Sequence, residues 1–168
     1  PMAQKPTIDP WPAFREAAAV GALADQPTAL FQAVDRALGD VVGHKLFTVL
    51  SADMKARRNR RMYSNMPDAY SAGGSKPMRD NSWGDIPVGE RRPYIGRTKE
   101  DIRNRFPDHA LIESLDLGSV INVPVSFDGV FLGTVNLLHE EGYYDEDDAA
   151  RAAPFAALLV PALMNATG

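Results

Sequence analysis

Two apolar runs constrain this chain most: Ser119-Val120-Ile121-Asn122-Val123-Pro124-Val125 and Val130-Phe131-Leu132-Gly133-Thr134-Val135-Asn136-Leu137-Leu138, joined through Phe127-Asp128-Gly129. β-Branched and aromatic residues dominate both runs, and an Asp-Gly pair accepts the positive φ angles of a tight hairpin turn. The runs predict adjacent antiparallel strands at the centre of a sheet. Beyond Tyr143-Tyr144, the acidic stretch Asp145 to Asp148 suits the positive end of a helix dipole. It predicts a last helix with Ala149, Ala152, Phe155, Ala156, Leu159, Val160 and Leu163 as its apolar stripe.

The remaining chain supplies complementary elements. Residues 1–12, with Pro6, Pro10 and Pro12 around Trp11, read as an extended arm lying on the domain or on a partner subunit. Pro1 before Met2 has the look of a tag-cleavage scar. Phe14, Ala18 and Leu23 predict a helix over 13–24, interrupted by Asp25-Gln26-Pro27. Leu30, Phe31, Val34, Leu38, Val41 and Val42 recur at helical spacing, so a second helix begins near Thr28 and ends at Gly43. Leu46–Leu50 and Arg60–Ser64 predict a hairpin. Residues 67–89 are rich in Gly, Pro, Ser, Asp and Asn and read as a long loop with one short helical turn, with Tyr70 and Trp83 as the aromatic exceptions that suit a lid. Pro93–Gly96 predicts a short strand, Thr98 caps a helix stopped by Pro107, and 108–115 forms one more short helix. Residues 13–168 therefore make one α+β domain, a mainly antiparallel sheet of five or six strands flanked by helices.

Composition limits the chemistry. With 18 Lys+Arg against 22 Asp+Glu there is no overall positive field to gather phosphates, which argues against nucleic acid as a partner. Cysteine is absent, removing thiolate nucleophiles, thiolate-held metals and thioether attachment of a chromophore. No apolar stretch approaches the ~20 residues of a membrane span, and no secretory leader is visible, so a cytoplasmic protein is expected.

The hairpin, its Asp128-Gly129 turn, Leu132-Gly133-Thr134-Val135-Asn136-Leu137 and the acidic entry to an apolar helix together resemble the GAF family. The resemblance runs from about Thr28 to Leu163. It implies a pocket between one sheet face and the segments linking the second strand to the fourth, and a function in binding a small organic ligand. The absence of cysteine separates this chain from the bilin-attaching members and from the free methionine sulfoxide reductases in chemistry. The Asn-Lys…Phe…Asp-Glu pattern of the cyclic-nucleotide binders is also missing. Where the hairpin matches the family, Val120, Asn122, Asn136 and Leu138 share one face by alternation, and the resemblance turns that face toward the pocket.

Asn122 and Asn136 stand where strands usually carry Val or Ile, and a buried amide left unpaired costs about 1–3 kcal/mol. A ligand would satisfy them; so would each other. Tyr63, Asn65, Tyr70, Lys76 and Trp83 offer donors, an ammonium and flat rings, the mixture of a pocket for an anionic or aromatic metabolite. Equally, the aromatics could cover the core and Lys76 be solvated. His109 beside Asp108, and His139 after the hairpin, are the acid–base candidates, although neither histidine has metal-ligand spacing and neither a metal nor another cofactor is expected. The run Lys55 to Arg61 reads as a solvated sheet edge, with alternate members such as Arg61 free to enter the pocket.

The leading expectation is a stand-alone cytoplasmic binding or sensing domain for a small anionic or aromatic metabolite, homodimeric through its first and last helices. Its rivals are a small cofactor-independent enzyme, with Asp108/His109 or His139 as acid–base groups, and a structural interaction module.

Overall fold

A computed structural model of the chain describes residues 2–78 and 86–166. The two apolar runs are strands β5 (Ser119–Phe127) and β6 (Val130–His139), paired antiparallel around Asp128 and Gly129, both at positive φ. With β1 (Leu46–Asp53), β2 (Arg58–Ser64), β3 (Gly73–Pro77) and β4 (Tyr94–Gly96) they form a six-stranded sheet in the order β3-β2-β1-β6-β5-β4. All its pairings are antiparallel.

Pleating divides this sheet into two surfaces. Phe47, Val49, Ile121, Val123, Val135 and Leu137 face a core built with helices α1 (Pro10–Val20), α2 (Thr28–Val41), α5 (Glu146–Ala157) and α6 (Val160–Asn165). Leu46, Val120 and Leu138 belong to a second, smaller core with Tyr70, Ile102, Ile112 and Leu117, covered by α3 (Lys99–Arg105) and α4 (His109–Ser114). The result is three layers, with the fuller helix layer on one face and a partial one on the other. None of the described helices is long and apolar enough to cross a membrane.

Four expectations need correction. Helix α1 starts at Pro10 rather than after Pro12, since prolines fit the first turn, where N–H groups have no intrahelical partner, and Asp9 accepts from the Trp11 N–H at 3.1 Å. It ends at Val20, so its buried face carries Ala17, and Ala18 is exposed. The long loop contains β3, which covers the outer edge of β2; the basic run is therefore not the sheet edge, and Arg58 donates to both the hydroxyl and the carbonyl of Ser75 on β3. The short helical turn expected in the same loop is there, as a π-helical turn at 86–90 against β5. The last apolar stripe is split into α5 and α6, because Pro161 has no N–H to continue a helix from α5 and instead occupies the first turn of α6.

The helix layer is locked to the sheet by buried phenols. Tyr143 donates to the Val42 carbonyl at 2.9 Å and Tyr144 to the Gly43 carbonyl at 2.8 Å, satisfying groups left open where α2 stops. Gly43 has φ +96°, and a Cβ there would lie 2.2 Å from the Tyr143 hydroxyl. His139 stacks flat on Tyr143 with ring centres 3.7 Å apart, and its Nδ1 accepts from the Glu140 N–H at 2.8 Å. The N-terminal residues lie on the domain itself: Lys5 Nζ reaches Asp145 at 2.8 Å and the buried Asp148 at 2.6 Å.

Two outcomes follow from this packing. Gly133 has φ +152° and approaches β1 so closely that a Cβ would lie 2.0 Å from the Leu50 carbonyl oxygen, so Gly133→Ala should lower stability by at least about 2 kcal/mol in urea unfolding. His139 has its pKa lowered from 6.5 by burial and by nearby Lys45. The unfolded chain therefore binds a proton there more readily than the native one, and the contribution to stability is complete above pH 6.5 and lost as pH falls below it. Thermal melts from about pH 7.5 to 5.5 should show this decline in the parent and a smaller one in His139→Gln.

Candidate functional site

A cavity of about 960 Å³ lies between the second sheet face and the α3–α4 segment. Its floor is set by alternation on three strands: Leu46, Thr48 and Leu50 from β1, Asn136 and Leu138 from β6, Val120 and Asn122 from β5. Phe106, Pro107 and Ile112 roof it, while Tyr70, Ser71, Arg61 and Lys76 close the end toward β2 and β3.

Three polar side chains cross this apolar floor in a line. Asn122 is registered opposite Asn136, and Asn136 opposite Thr48. Asn122 Nδ2 donates to Asn136 Oδ1 at 2.7 Å, and Asn136 Nδ2 donates to Thr48 Oγ1 at 3.2 Å. The two amides thus satisfy each other, as the alternative to ligand contact anticipated, and still line the cavity. One N–H of each amide is used in this ladder; the second N–H of each and the Oδ1 of Asn122 remain for an occupant.

Tyr70 is 7% exposed and donates its hydroxyl to Asp108 Oδ2 at 2.7 Å, tying the β2–β3 connection to the start of α4. Burial and then this hydrogen bond hold its phenol far above the usual range, so it stays a neutral donor. The Arg61 guanidinium sits 4.9 Å from the centre of the same ring. Arg103 is engaged in a two-pronged pair with Glu113 at 2.5 and 3.1 Å, and Arg105 lies over Tyr94 at 3.8 Å. Asp108 is the one carboxylate among the described lining residues, against the cations Arg61, Lys76, Arg103 and Arg105.

Asn122, Asn136, Val120, Leu138, Tyr70, Lys76, Asp108 and His109 all border this one cavity. Tyr63, Asn65 and His139 do not, and each is corrected for a physical reason. A bulge places Val49 opposite Tyr63 but Leu50 opposite Arg61, leaving Met62 extra in β2. Tyr63 consequently turns to the helices, against Phe31 and Phe47, and donates to Asp35 at 2.6 Å. Asn65 finishes the β1 ladder with its side chain, accepting from the Phe47 N–H at 2.7 Å and donating to the Lys45 carbonyl at 3.0 Å. His139 is one residue past Leu138, so alternation points it to the helix face and onto Tyr143. Asp108 Oδ2 accepts from Tyr70, and no hydrogen bond joins Asp108 to His109 among the described residues. Trp83 lies outside the described residues.

Thr48 was missed although it is the polar interruption in Leu46-Phe47-Thr48-Val49-Leu50; its meaning appears only once β1 is registered against Asn136. Phe106 and Ile112 were missed because nothing local tells which sheet face a short helix covers. Among the described residues, no group of three or more His, Asp or Glu is placed to hold a metal ion.

No family model matches the sequence, and no curated relative does. Solved structures do. The GAF domain of an Acinetobacter phosphoenolpyruvate-protein phosphotransferase superposes with a TM-score of 0.72 at 14% identity, covering 94% of each chain. Free methionine-R-sulfoxide reductase from Neisseria meningitidis, in complex with its substrate, gives 0.69 at 17% identity over 99% of this chain and 96% of that one. The GAF domain of a Bacillus halodurans sensor histidine kinase gives 0.64 at 15% identity over 80% and 91%. With its sheet order, its helix layers and its cavity over the second face, the chain has the GAF fold over nearly its whole length.

Proposed function

We propose that this domain binds a small anionic or aromatic metabolite in the cavity and acts as a cytoplasmic sensing or binding module. The observation that carries this is the Thr48–Asn136–Asn122 ladder: three polar side chains on an apolar floor, mutually bonded yet with donors and an acceptor left over. A floor needed only for packing would favour Val, Leu or Ile at these central strand positions, because buried amides must be partnered. A volume of about 960 Å³ falls in the range of sites that enclose organic ligands, and Tyr70 and Phe106 supply ring surface. The Neisseria structure holds its substrate within the same fold, which supports a ligand here; the chain has no cysteine with which to perform thiol chemistry on one.

Association of two copies through α1 and α6 belongs to the same proposal. Trp11 on α1 is 57% exposed and Met164 on α6 is 43% exposed, apolar side chains on the first and last helices that a second copy would cover.

Native mass spectrometry of protein purified without denaturation should show an adduct of small-molecule mass. In Asn122→Leu, purified identically, the adduct should be depleted in line with a binding loss of about 1–3 kcal/mol, with a modest fall in melting temperature because Asn136 Oδ1 loses its donor. An adduct unaffected by that change would place binding elsewhere. Sedimentation equilibrium at micromolar concentration should report a dimer in the parent and a shift toward monomer in Trp11→Ser; a parent that is monomeric throughout would refute the association.

A further inference from the structure

The extra residue in β2 has a consequence for what the cavity selects. By turning Tyr63 to the helices and Arg61 to the cavity, the bulge brings a guanidinium to the β2 end of a floor whose other polar groups are uncharged. Arg61 is held there rather than waving in solvent: Nη1 donates to the Ser71 carbonyl at 3.1 Å, and the Tyr70 ring lies 4.9 Å away. Its Nε is shielded from solvent and has no acceptor. Among the described residues, Arg61 has no carboxylate partner, unlike Arg103, which Glu113 neutralises. With no carboxylate paired to it, the Arg61 guanidinium is an unneutralised cation of the cavity lining and favours an incoming anion. Lys76, opposite Asn59 on the neighbouring strand pair, adds a second cation at the same end.

Strand spacing then sets the dimensions of what fits. The sheet order puts β1 between β2 and β6, so Arg61 and Asn136 stand on strands two steps apart, or roughly 10 Å at a spacing of ~4.8 Å. Leu50 and Thr48 of β1 lie between them. A charged group at one end, the uncharged amides with Thr48 at the other and Leu50 between describe an elongated molecule, not an inorganic anion. Asp108, hydrogen-bonded to the ring system beside Arg61, disfavours a second negative charge at that end.

We infer that Arg61, assisted by Lys76, is the anion-selecting residue of this cavity. The ligand class is an elongated organic acid with one negative charge, whose uncharged hydrogen-bonding group rests on Asn122 and Asn136. This rests on the cavity being a binding site, and the test separates the two claims. Calorimetric titration and thermal melts of the full chain would use matched aromatic carboxylates and their carboxamides, with 4-acetamidocinnamate and its amide as the reference pair, alongside inorganic phosphate and the co-purified molecule identified by mass. The acids should bind at least about tenfold more tightly than their amides, the size of one charge-assisted hydrogen bond. Arg61→Met should erase that preference, weakening the acids far more than the amides, and Arg61→Lys should restore part of it. The exposed Lys76→Gln, whose fold is not in question, should reduce the preference by a smaller factor. Amides binding as well as acids, a preference that survives in folded Arg61→Met, phosphate binding as tightly as the acids, or an uncharged co-purified molecule would each overturn the inference while leaving a binding cavity. A chain that purifies empty and binds no member of the panel would overturn both.

Discussion

Everything in this domain depends on β6 being pinned between β1 and β5 in one register. Side chains alternate across a pleated strand, so a one-residue slip of β6 would send Val135 and Leu137 to the cavity and Asn136 into the helix core. The apolar helix layer makes that slip prohibitive, since a buried amide among Phe31, Phe155 and Val34 would find no partner. Gly133 completes the lock from the other side: with no Cβ, it lets the β1 carbonyl of Leu50 approach where any side chain would collide. One register therefore defines both surfaces, a packed core on one face and a polar-lined floor on the other.

The two faces satisfy their polar groups by different means. On the helix side, Tyr143 and Tyr144 deliver hydroxyls to the carbonyls at the end of α2, so those buried groups are closed off. On the cavity side, the ladder through Thr48, Asn136 and Asn122 is ordered by its own bonds and still has capacity to spare. The proposed binding would exploit this order without saturation, because an incoming molecule would gain hydrogen bonds without first having to fix the side chains that make them. Of the acid–base candidates, Asp108 accepts from Tyr70 and borders the cavity with His109, whereas His139 is stacked on the opposite face.

Short departures from regular geometry decide which residues reach the cavity. The bulge at Met62 separates Arg61 from Tyr63, which strict alternation would have kept together. The β3 strand, made of glycines, serine, lysine and proline, covers the edge of β2 and brings Lys76 to the rim. The capping box at Thr98 and Asp101 starts α3 at a defined point, and the α3–α4 segment then roofs the floor.

The sequence by itself determined the hairpin of β5 and β6, the face shared by Val120, Asn122, Asn136 and Leu138, the helices opened by Thr98 and Asp145, and the end of α2 at Gly43. These are local signals: period-two alternation, side-chain caps and a glycine at positive φ act over a few residues and can be read from them. Only the tertiary structure decided that Asn122, Asn136 and Thr48 form one ladder, because registering strands some 88 residues apart is a non-local event. Only it decided that Tyr63 and Asn65 turn to the core and the end of β1 and away from the cavity, since an inserted bulge residue reverses facing without any mark in composition. The same holds for β3, whose glycines and proline carry the signal of a loop and become a strand because the open edge of β2 offers them backbone partners.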